Sequence, residues 1–161
     1  MNQLDFKGRT AVVTGGMQGI GAAIVKRLEA SGAKVAIWDL DGPGKVDVAD
    51  NASILSALKG TLDRLGKIDI LVCNAAVNPY FGPMQTMPEE SYDKIMNCNV
   101  KANFLLCNMA APHMADAGGG SILIVSSIGG NQGSATLGVY GISKAADFAL
   151  TRNLAIEHGP K

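Results

Sequence analysis

The chain has 161 residues, of which 47% are hydrophobic, and its formal net charge is zero. This length and composition predict a single globular domain with a sizeable core. The balanced charge provides no general attraction for nucleic acid or for an anionic membrane surface, so neither is expected as a partner.

The three cysteines, Cys73, Cys98 and Cys107, form neither an even disulfide set nor a CxxC pair. The N-terminus has no apolar signal segment, and no apolar run reaches membrane-spanning length. Neither histidine has neighbours at metal-ligand spacing, so no metal site is predicted. We therefore expect a cytoplasmic protein whose thiols are buried and reduced.

Strand and helix patterns alternate along the chain. Strands are predicted near 9–14, 34–39, 68–73 and 121–126, and helices near 19–31, 51–65, 89–116 and 140–158. The strand sequences are apolar almost throughout, which is typical of parallel strands covered by helices on both faces. The order predicts an α/β fold of the Rossmann type, with three layers and a doubly wound, mostly parallel sheet. Asp50 or Asn51 is expected to cap the second helix.

The connection after the second predicted strand is unusually short. Residues 41–44, Asp-Gly-Pro-Gly, lead at once to 45–48, Lys-Val-Asp-Val. A parallel crossover needs about a dozen residues or more. Either residues are missing here, or the turn makes a local hairpin, and the sheet is expected to be incomplete at this edge.

A glycine-rich turn, Thr14–Gly21, joins the first predicted strand to the first helix. Glycines let the backbone approach a pyrophosphate closely, and the free N–H groups at the start of the helix attract its charge. The turn therefore indicates a dinucleotide site. Glycines between a strand and a helix are also compatible with a plain tight turn.

Asp39 ends the second predicted strand, 18 positions after Gly21. A carboxylate at this place can accept hydrogen bonds from the ribose hydroxyls of a dinucleotide, although Asp also ends strands for structural reasons. The same charge would repel a 2′-phosphate, and Met17 and Gln18 offer no cation to attract one. We therefore predict NAD in preference to NADP.

Tyr140 and Lys144 are four positions apart on one face of the last predicted helix. A cation beside a phenol favours the phenolate and brings its pKa toward neutral pH, so the two residues can act as an acid/base pair. Alone, such a pair is also common on ordinary helix surfaces.

Together these features resemble the short-chain dehydrogenase/reductase family, and the run 74–82 looks like its carbonyl reductase and retinol dehydrogenase branch. The family's pattern of Thr-Gly, three residues and Gly-x-Gly corresponds to 14–21, and its Tyr-x-x-x-Lys to Tyr140 and Lys144. Its catalytic Ser lies thirteen residues before the Tyr, which selects Ser127.

The resemblance implies an NAD(P)-dependent oxidoreductase that interconverts a secondary alcohol and a ketone or aldehyde by hydride transfer. Tyr140 would exchange a proton with the substrate oxygen, and Ser127 would hydrogen-bond that oxygen. Lys144 would lower the pKa of the Tyr and hold the nicotinamide ribose. Asn99 would interrupt the long central helix and retain a water that links Lys144 to solvent. These four are the predicted catalytic residues.

The resemblance extends to the cofactor contacts. The family's Asn-Asn-Ala-Gly stretch appears as Cys73-Asn74-Ala75-Ala76, which keeps Asn74 but changes both outer positions, and Asp47-Val48 resembles its adenine-contacting Asp-Val. The predicted cofactor-binding residues are Gly15, Met17, Gln18, Gly19, Ile20, Gly21, Asp39, Leu40, Asp47, Val48, Asn74, Ala75, Ala76, Tyr140 and Lys144.

Residues 79–81, Pro-Tyr-Phe, can line an apolar pocket for a small alcohol or carbonyl substrate, or they can pack on the core as an ordinary loop. Gln132, Ala135 and Leu137 carry the same ambiguity. The resemblance also implies a homo-oligomer, a dimer or tetramer, joined through the long helices.

The sequence ends at Lys161, where full-length members of the family continue into another strand, a Pro-Gly turn, a substrate-covering segment and a final strand. We therefore expect a single NAD-binding domain, residues 1–161, without that covering segment and with a sheet incomplete at both edges. The alternative to an active enzyme is a catalytically inactive dinucleotide-binding fragment, or a partner of full-length homologues.

Overall fold

The computed structural model describes residues 4–161, in which strands and helices alternate. The strands are β1 (Thr10–Thr14), β2 (Lys34–Trp38), β3 (Ile70–Cys73) and β4 (Ser121–Ile124). The α-helices are α1 (Gly19–Ala30), α2 (Asn51–Leu65), α3 (Glu89–Ile95), α4 (Ala102–Asp116) and α5 (Gly138–His158). A π-helical turn, Met96–Lys101, joins α3 to α4, and short 3₁₀ turns cover Met84–Thr86 and Ile128–Gly130.

The four strands form one parallel sheet in the order β2-β1-β3-β4. Successive residues of β1 face opposite layers: Val13 packs with Val25 and Leu28 of α1, whereas Val12 packs in the larger cluster. That cluster contains Ile54 of α2, Leu106 of α4 and Leu154 of α5. The predicted three-layer, doubly wound α/β fold is therefore confirmed.

Residues 45–48 form neither a strand nor a hairpin, so the hairpin alternative is wrong. After β2 the chain makes two tight turns, because Gly42 N donates to Asp39 O at 3.2 Å and Lys45 N donates to Gly42 O at 3.0 Å. Val46 and Val48 then enter the core, where each is 7% exposed. Burial of these two side chains, and not pairing with a strand, holds the segment in place. Strand β2 therefore remains one edge of the sheet, and β4 is the other.

The observed helix boundaries refine those expected from the sequence. Asp50 caps α2, as predicted, by accepting hydrogen bonds from the N–H groups of Ala52 and Ser53 at 3.3 and 3.0 Å. The predicted single helix over 89–116 is divided by the π-helical turn. Helix α5 begins two residues earlier than expected, at Gly138, which puts Tyr140 inside its first turn. Among residues 4–161, no helix combines the length and apolar character needed to cross a membrane.

Candidate active site

The glycine-rich turn lies at the carboxyl end of β1 and leads directly into α1. Gly15 and Gly19 have φ angles of +62° and +55°, in the left-handed region that favours glycine. A Cβ atom at Gly21 would collide with the carbonyl oxygen of Gly15 and lie 2.6 Å from Asn74 Nδ2. The first turn of α1 can therefore pack against the loop only because position 21 has no side chain.

Asn74 holds the glycine-rich turn from the end of β3. Its Nδ2 donates to the carbonyl oxygens of Thr14 and Gly15 at 2.9 and 3.1 Å. In return, Thr14 Oγ1 accepts from the N–H groups of Asn74 and Ala75 at 2.9 and 3.0 Å. Because Thr14 is fully buried, this reciprocal set of bonds satisfies the backbone where β1 and β3 end.

Cys73, one of the two positions that differ from the family pattern, points into the core. It is 1% exposed, and its Sγ lies 3.9 Å from Sγ of Cys107. Hydrogen bonding to the Cys107 thiol and burial raise the pKa of Cys73 well above its usual range. The thiol therefore fills space between β3 and α4, while the neighbouring Asn74 supports the turn.

Asp39 lies beside the glycine-rich turn, immediately after β2. Its Oδ2 accepts from Met17 N at 3.0 Å, and its Oδ1 accepts from Asp41 N at 3.1 Å. The carboxylate is thus oriented by the loop it faces. Asp47 instead caps the turn before α2, since its Oδ1 accepts from Ala49 N at 2.8 Å.

The predicted cofactor residues differ in accessibility. The exposed ones are Met17, Gln18, Gly19, Ile20, Leu40 and Ala76. The half-buried ones are Gly15, Asp39, Asp47, Asn74, Ala75 and Tyr140, and the buried ones are Gly21, Val48 and Lys144. The exposed members belong mainly to the glycine-rich turn, so its backbone is open to a ligand, whereas the side chain of Val48 belongs to the core.

Tyr140 and Lys144 lie together on α5, with Lys144 Nζ 5.9 Å from the centroid of the Tyr140 ring. The ammonium is directed into the protein. It is 2% exposed and donates to Val125 O at 2.8 Å and to Asp147 Oδ2 at 3.1 Å. The structure therefore pairs the phenol with the cation and places the cation against an internal carboxylate.

The two candidate serines after β4 have different partners. Ser126 Oγ donates to the carbonyl oxygen of Lys144 at 2.7 Å, so it ties the loop to α5. Ser127 Oγ accepts from Gly129 N at 3.1 Å. A Cβ at Gly129 would lie 3.5 Å from Ser127 Oγ and 4.0 Å from ring atoms of Tyr140, so Ser127 and Tyr140 flank the same short turn.

Asn99 is fully buried in the π-helical turn. Its Oδ1 accepts from Val77 N at 2.8 Å, and its Nδ2 donates to Val77 O at 3.0 Å and to Ser143 Oγ at 3.1 Å. The predicted interruption of the central helix is therefore present. It lets one amide side chain join the loop after β3 to α5.

Two polar residues of this region, Asn103 and Asp147, are absent from the set predicted from the sequence. Asn103 Nδ2 donates to Asn99 O at 2.8 Å and to Asp147 Oδ1 at 2.9 Å. Their spacing contained a signal, because Asn103 follows Asn99 by four residues and Asp147 follows Lys144 by three, which places each pair on one helix face.

The predicted substrate loop after β3 is held by its own polar groups. Tyr80 Oη lies 3.0 Å from Pro83 O and 2.7 Å from Thr86 Oγ1, so this phenol supports the loop. Phe81, in contrast, is 72% exposed, and Ile128 after β4 is 73% exposed. Within residues 4–161, no group of three or more histidine, cysteine or acidic side chains is arranged to hold a metal ion.

Comparison with known proteins identifies the family. Residues 15–161 match the family model described as enoyl-(acyl carrier protein) reductase. Dehydrogenase/reductase SDR family member 4 of Bos taurus is 42% identical over 174 residues, which cover 97% of this chain and 62% of that protein. The 2-dehydro-3-deoxy-L-rhamnonate dehydrogenase (NAD(+)) of Sphingomonas sp. (strain SKA58) is 31% identical, with 94% of this chain and 67% of that protein covered.

Solved structures agree with these relatives. The crystal structure of gox2181 has a TM-score of 0.92 and 27% identity, and the match covers 98% of this chain and 69% of that one. A variant of a Serratia marcescens short-chain dehydrogenase/reductase has a TM-score of 0.88 and 34% identity, covering 96% and 74%. The chain spans about 62% of the length of the Bos taurus relative. It belongs to the short-chain dehydrogenase/reductase family of oxidoreductases.

Proposed function

We propose that this chain is an NAD-dependent oxidoreductase domain that interconverts a secondary alcohol and a ketone or aldehyde by hydride transfer. The observation that carries the proposal is the convergence of two features at one edge of the sheet. All four strands are parallel, so the glycine-rich turn after β1 and the Ser127 loop after β4 lie at their common carboxyl ends. The pair of Tyr140 and Lys144 lies against that second loop.

The glycine-rich turn fits the pyrophosphate of a dinucleotide. Its residues 17–20 are exposed, its backbone is free of obstructing side chains at Gly15 and Gly21, and α1 begins at its end. Free N–H groups at a helix N-terminus attract phosphate. Gly15 is also held tightly, since a Cβ there would approach Ala75 Cα to 3.0 Å.

NAD is the preferred cofactor because the carboxylate of Asp39 faces the turn and accepts from Met17 N. Asp39 lies beside Met17, and its remaining acceptor capacity can receive ribose hydroxyl groups. A 2′-phosphate at that place would be repelled by the carboxylate. The name of the Sphingomonas relative, which specifies NAD(+), supports the same preference.

The protein's share of the chemistry is proton transfer and orientation. The nicotinamide supplies the hydride chemistry when it is bound. Tyr140 would exchange a proton with the substrate oxygen, and Ser127 would donate a hydrogen bond to that oxygen. Lys144 would stabilise negative charge on the phenol oxygen, and Asn99 would hold the loop and α5 in register through Val77 and Ser143.

The substrate is proposed to be a small or medium apolar alcohol or carbonyl compound, because Phe81 and Ile128 expose apolar surface after β3 and β4. Exposed Phe104 of α4 and Ile142 of α5, each 51% accessible, support a homo-oligomer joined through these helices. The free thiols of the described cysteines support a cytoplasmic location, where thiols stay reduced.

The experiment compares wild type with Tyr140→Phe over a panel of alcohols and ketones, together with NADH titration by fluorescence. We expect Tyr140→Phe to lower turnover by at least about 100-fold, because a general acid/base contributes about that factor or more. NADH binding should be retained, since that variant keeps the ring. Equal turnover in the two proteins would refute the role of Tyr140.

A second candidate is a dinucleotide-binding domain without turnover. It is favoured because the Lys144 side chain is only 2% exposed and its Nζ lies against Asp147. NADH binding together with no turnover in wild type would support this candidate. Asp39→Asn distinguishes both candidates from non-specific binding. This substitution should weaken NADH binding and reduce the difference in affinity between NADH and NADPH. Unchanged selectivity in that variant would refute the role of Asp39.

A further inference from the structure

Lys144 and Asp147 form an ion pair that is buried almost completely. The side chains are 2% and 1% exposed, and Nζ lies 3.1 Å from Oδ2. A buried charge is tolerated only when it is paired and hydrogen-bonded. The structure meets both conditions, because Val125 O also accepts from Nζ at 2.8 Å.

Asn103 holds the other oxygen of the same carboxylate. Its Nδ2 bridges Asp147 Oδ1, at 2.9 Å, and Asn99 O, at 2.8 Å. Asn99 and Asn103 are 0% and 2% exposed. Asp147 is therefore fixed from α4 and the π-helical turn, while its second oxygen receives the ammonium from α5.

The ammonium has only limited capacity for a further partner. A lysine ammonium has three hydrogens, and among the described residues two of them have acceptors, Val125 O and Asp147 Oδ2. One hydrogen remains for a ligand. To donate to two neighbouring hydroxyl groups, as on a ribose, Nζ must give up one of its present acceptors.

We propose that Asp147, oriented by Asn103, is a positioning residue that competes with the bound cofactor for the ammonium of Lys144. This inference rests on the proposed function, because the competing acceptors are the ribose hydroxyls of the dinucleotide. In the cofactor-free chain Asp147 holds the Lys144 ammonium inside the protein, and cofactor binding draws the ammonium away from Asp147. The apparent affinity for the cofactor is then reduced according to the fraction of molecules in which Asp147 still holds the Lys144 ammonium.

The ion pair is tested first without cofactor, by side-chain ¹H–¹⁵N spectra of lysine-labelled wild type. A buried, hydrogen-bonded ammonium exchanges its hydrogens with water slowly, so one lysine signal should persist under conditions that remove those of exposed lysines. The protected signal is assigned to Lys144 if it is absent from the spectrum of Lys144→Met. Asp147→Asn should abolish its protection, whereas Glu157→Gln, which removes an exposed carboxylate from the same helix, should leave it unchanged.

The competition is tested by NADH titration of the same proteins. Asp147→Asn should bind NADH roughly three- to tenfold more tightly than wild type, because it removes the internal competitor. Glu157→Gln should match wild type. In wild type, saturating NADH should shift the protected lysine signal, which requires no variant and decides the question even if Asp147→Asn does not fold.

Several outcomes would overturn the inference. A wild-type spectrum without a protected lysine signal would refute the buried pair, and weaker NADH binding by folded Asp147→Asn would show that Asp147 supports the bound state. A protected signal that NADH leaves unmoved, although NADH binds, would refute the competition alone. No NADH binding by wild type or by Asp147→Asn would refute the proposed function and the competition, while the cofactor-free spectra would still report the ion pair separately.

Discussion

The glycine-rich turn and the polar cluster beneath α5 are constructed in opposite ways. The turn consists of eight consecutive residues, 14–21, and presents exposed backbone where side chains are missing. The polar cluster, which we define as Asn99, Asn103, Lys144 and Asp147, brings together side chains from the π-helical turn, α4 and α5 that are at most 2% exposed. One region depends on empty space, and the other depends on complete pairing.

This difference determines which kind of substitution should destabilise each region. The turn should be damaged by added volume, because close packing leaves no room for a methyl group at Gly21. The polar cluster should be damaged by loss of a partner, because the remaining charge stays buried. Stability measurements on matched variants can therefore distinguish damage by added volume from damage by a lost partner.

Removal of the Lys144 ammonium should have the largest effect. Lys144→Met leaves the Asp147 carboxyl group in the interior without its cation, and we expect the free energy of unfolding to fall by about 4 kcal/mol. Urea unfolding at pH 7 measures it. The double variant Lys144→Met/Asp147→Asn should recover about half of that loss, and full additivity of the two single changes would contradict the buried pair.

The exposed pair of Lys59 and Asp63 is the matched control for that prediction. Its Nζ–Oδ2 distance is shorter, 2.6 Å, but the side chains are 78% and 64% exposed. The hydrogen bond that Lys59 donates to Asp63 raises the pKa of Lys59, yet solvent screens the pair. Lys59→Met should leave the free energy of unfolding unchanged within error, which would show that burial, and not distance, decides the cost.

The glycine-rich turn should respond next most strongly. Gly21→Ala places a methyl group against Gly15 O and Asn74 Nδ2, and we expect it to cost about 3 kcal/mol and to abolish NADH binding. Gly19→Ala meets no atom within 4 Å and should cost only about 1 kcal/mol, from its positive φ. Equal costs in the two variants would contradict the packing argument.

Asp69 is a second buried carboxylate, and it differs from Asp147 because its cationic partners are partly exposed. Burial raises the pKa of Asp69, but hydrogen bonds from Lys67, Thr10 N and Arg9 together lower it below its usual 3.8. A lowered folded-state pKa means that this stabilisation is present above about pH 4 and is lost as the pH falls through the folded-state value.

Asp69→Asn should therefore reduce the free energy of unfolding by about 1–2 kcal/mol at pH 7, and by progressively less below pH 4. Urea unfolding of wild type and variant across this range provides the measurement. A difference between the two proteins that stays constant down to pH 2 would show that the carboxylate charge is not responsible.

The smallest expected effect is a gain. Gly60 lies exposed within α2, and a Cβ there meets nothing within 4 Å. Gly60→Ala should raise the free energy of unfolding by roughly 0.5–1 kcal/mol, because alanine loses less conformational entropy in a helix. Thermal unfolding should show a higher midpoint, and a lower one would indicate an unrecognised contact at this position.

The elements of the fold differ in how far their sequences predict them. The alternation of apolar strands with helices predicted the parallel three-layer fold, because both patterns are local and repeated. The segment 45–48 was misleading, since a local hairpin was one of its two predicted alternatives, whereas Val46 and Val48 are buried without a strand partner. The division of the central helix followed from Asn99 only through the resemblance to the family.

The sequence by itself determined the glycine-rich turn, the carboxylate at Asp39 and the spacing of Tyr140 and Lys144, because each depends on neighbours within one element or at its end. Only the tertiary structure decided where the Lys144 ammonium points. Val125 lies in the loop after β4, Asp147 lies one turn further along α5, and the Asn103 amide that holds Asp147 comes from α4, 44 residues earlier in the chain. The contact of Asn103 with Asp147 arises when α4 and α5 pack and exclude water, and no local pattern shows which helix faces will meet.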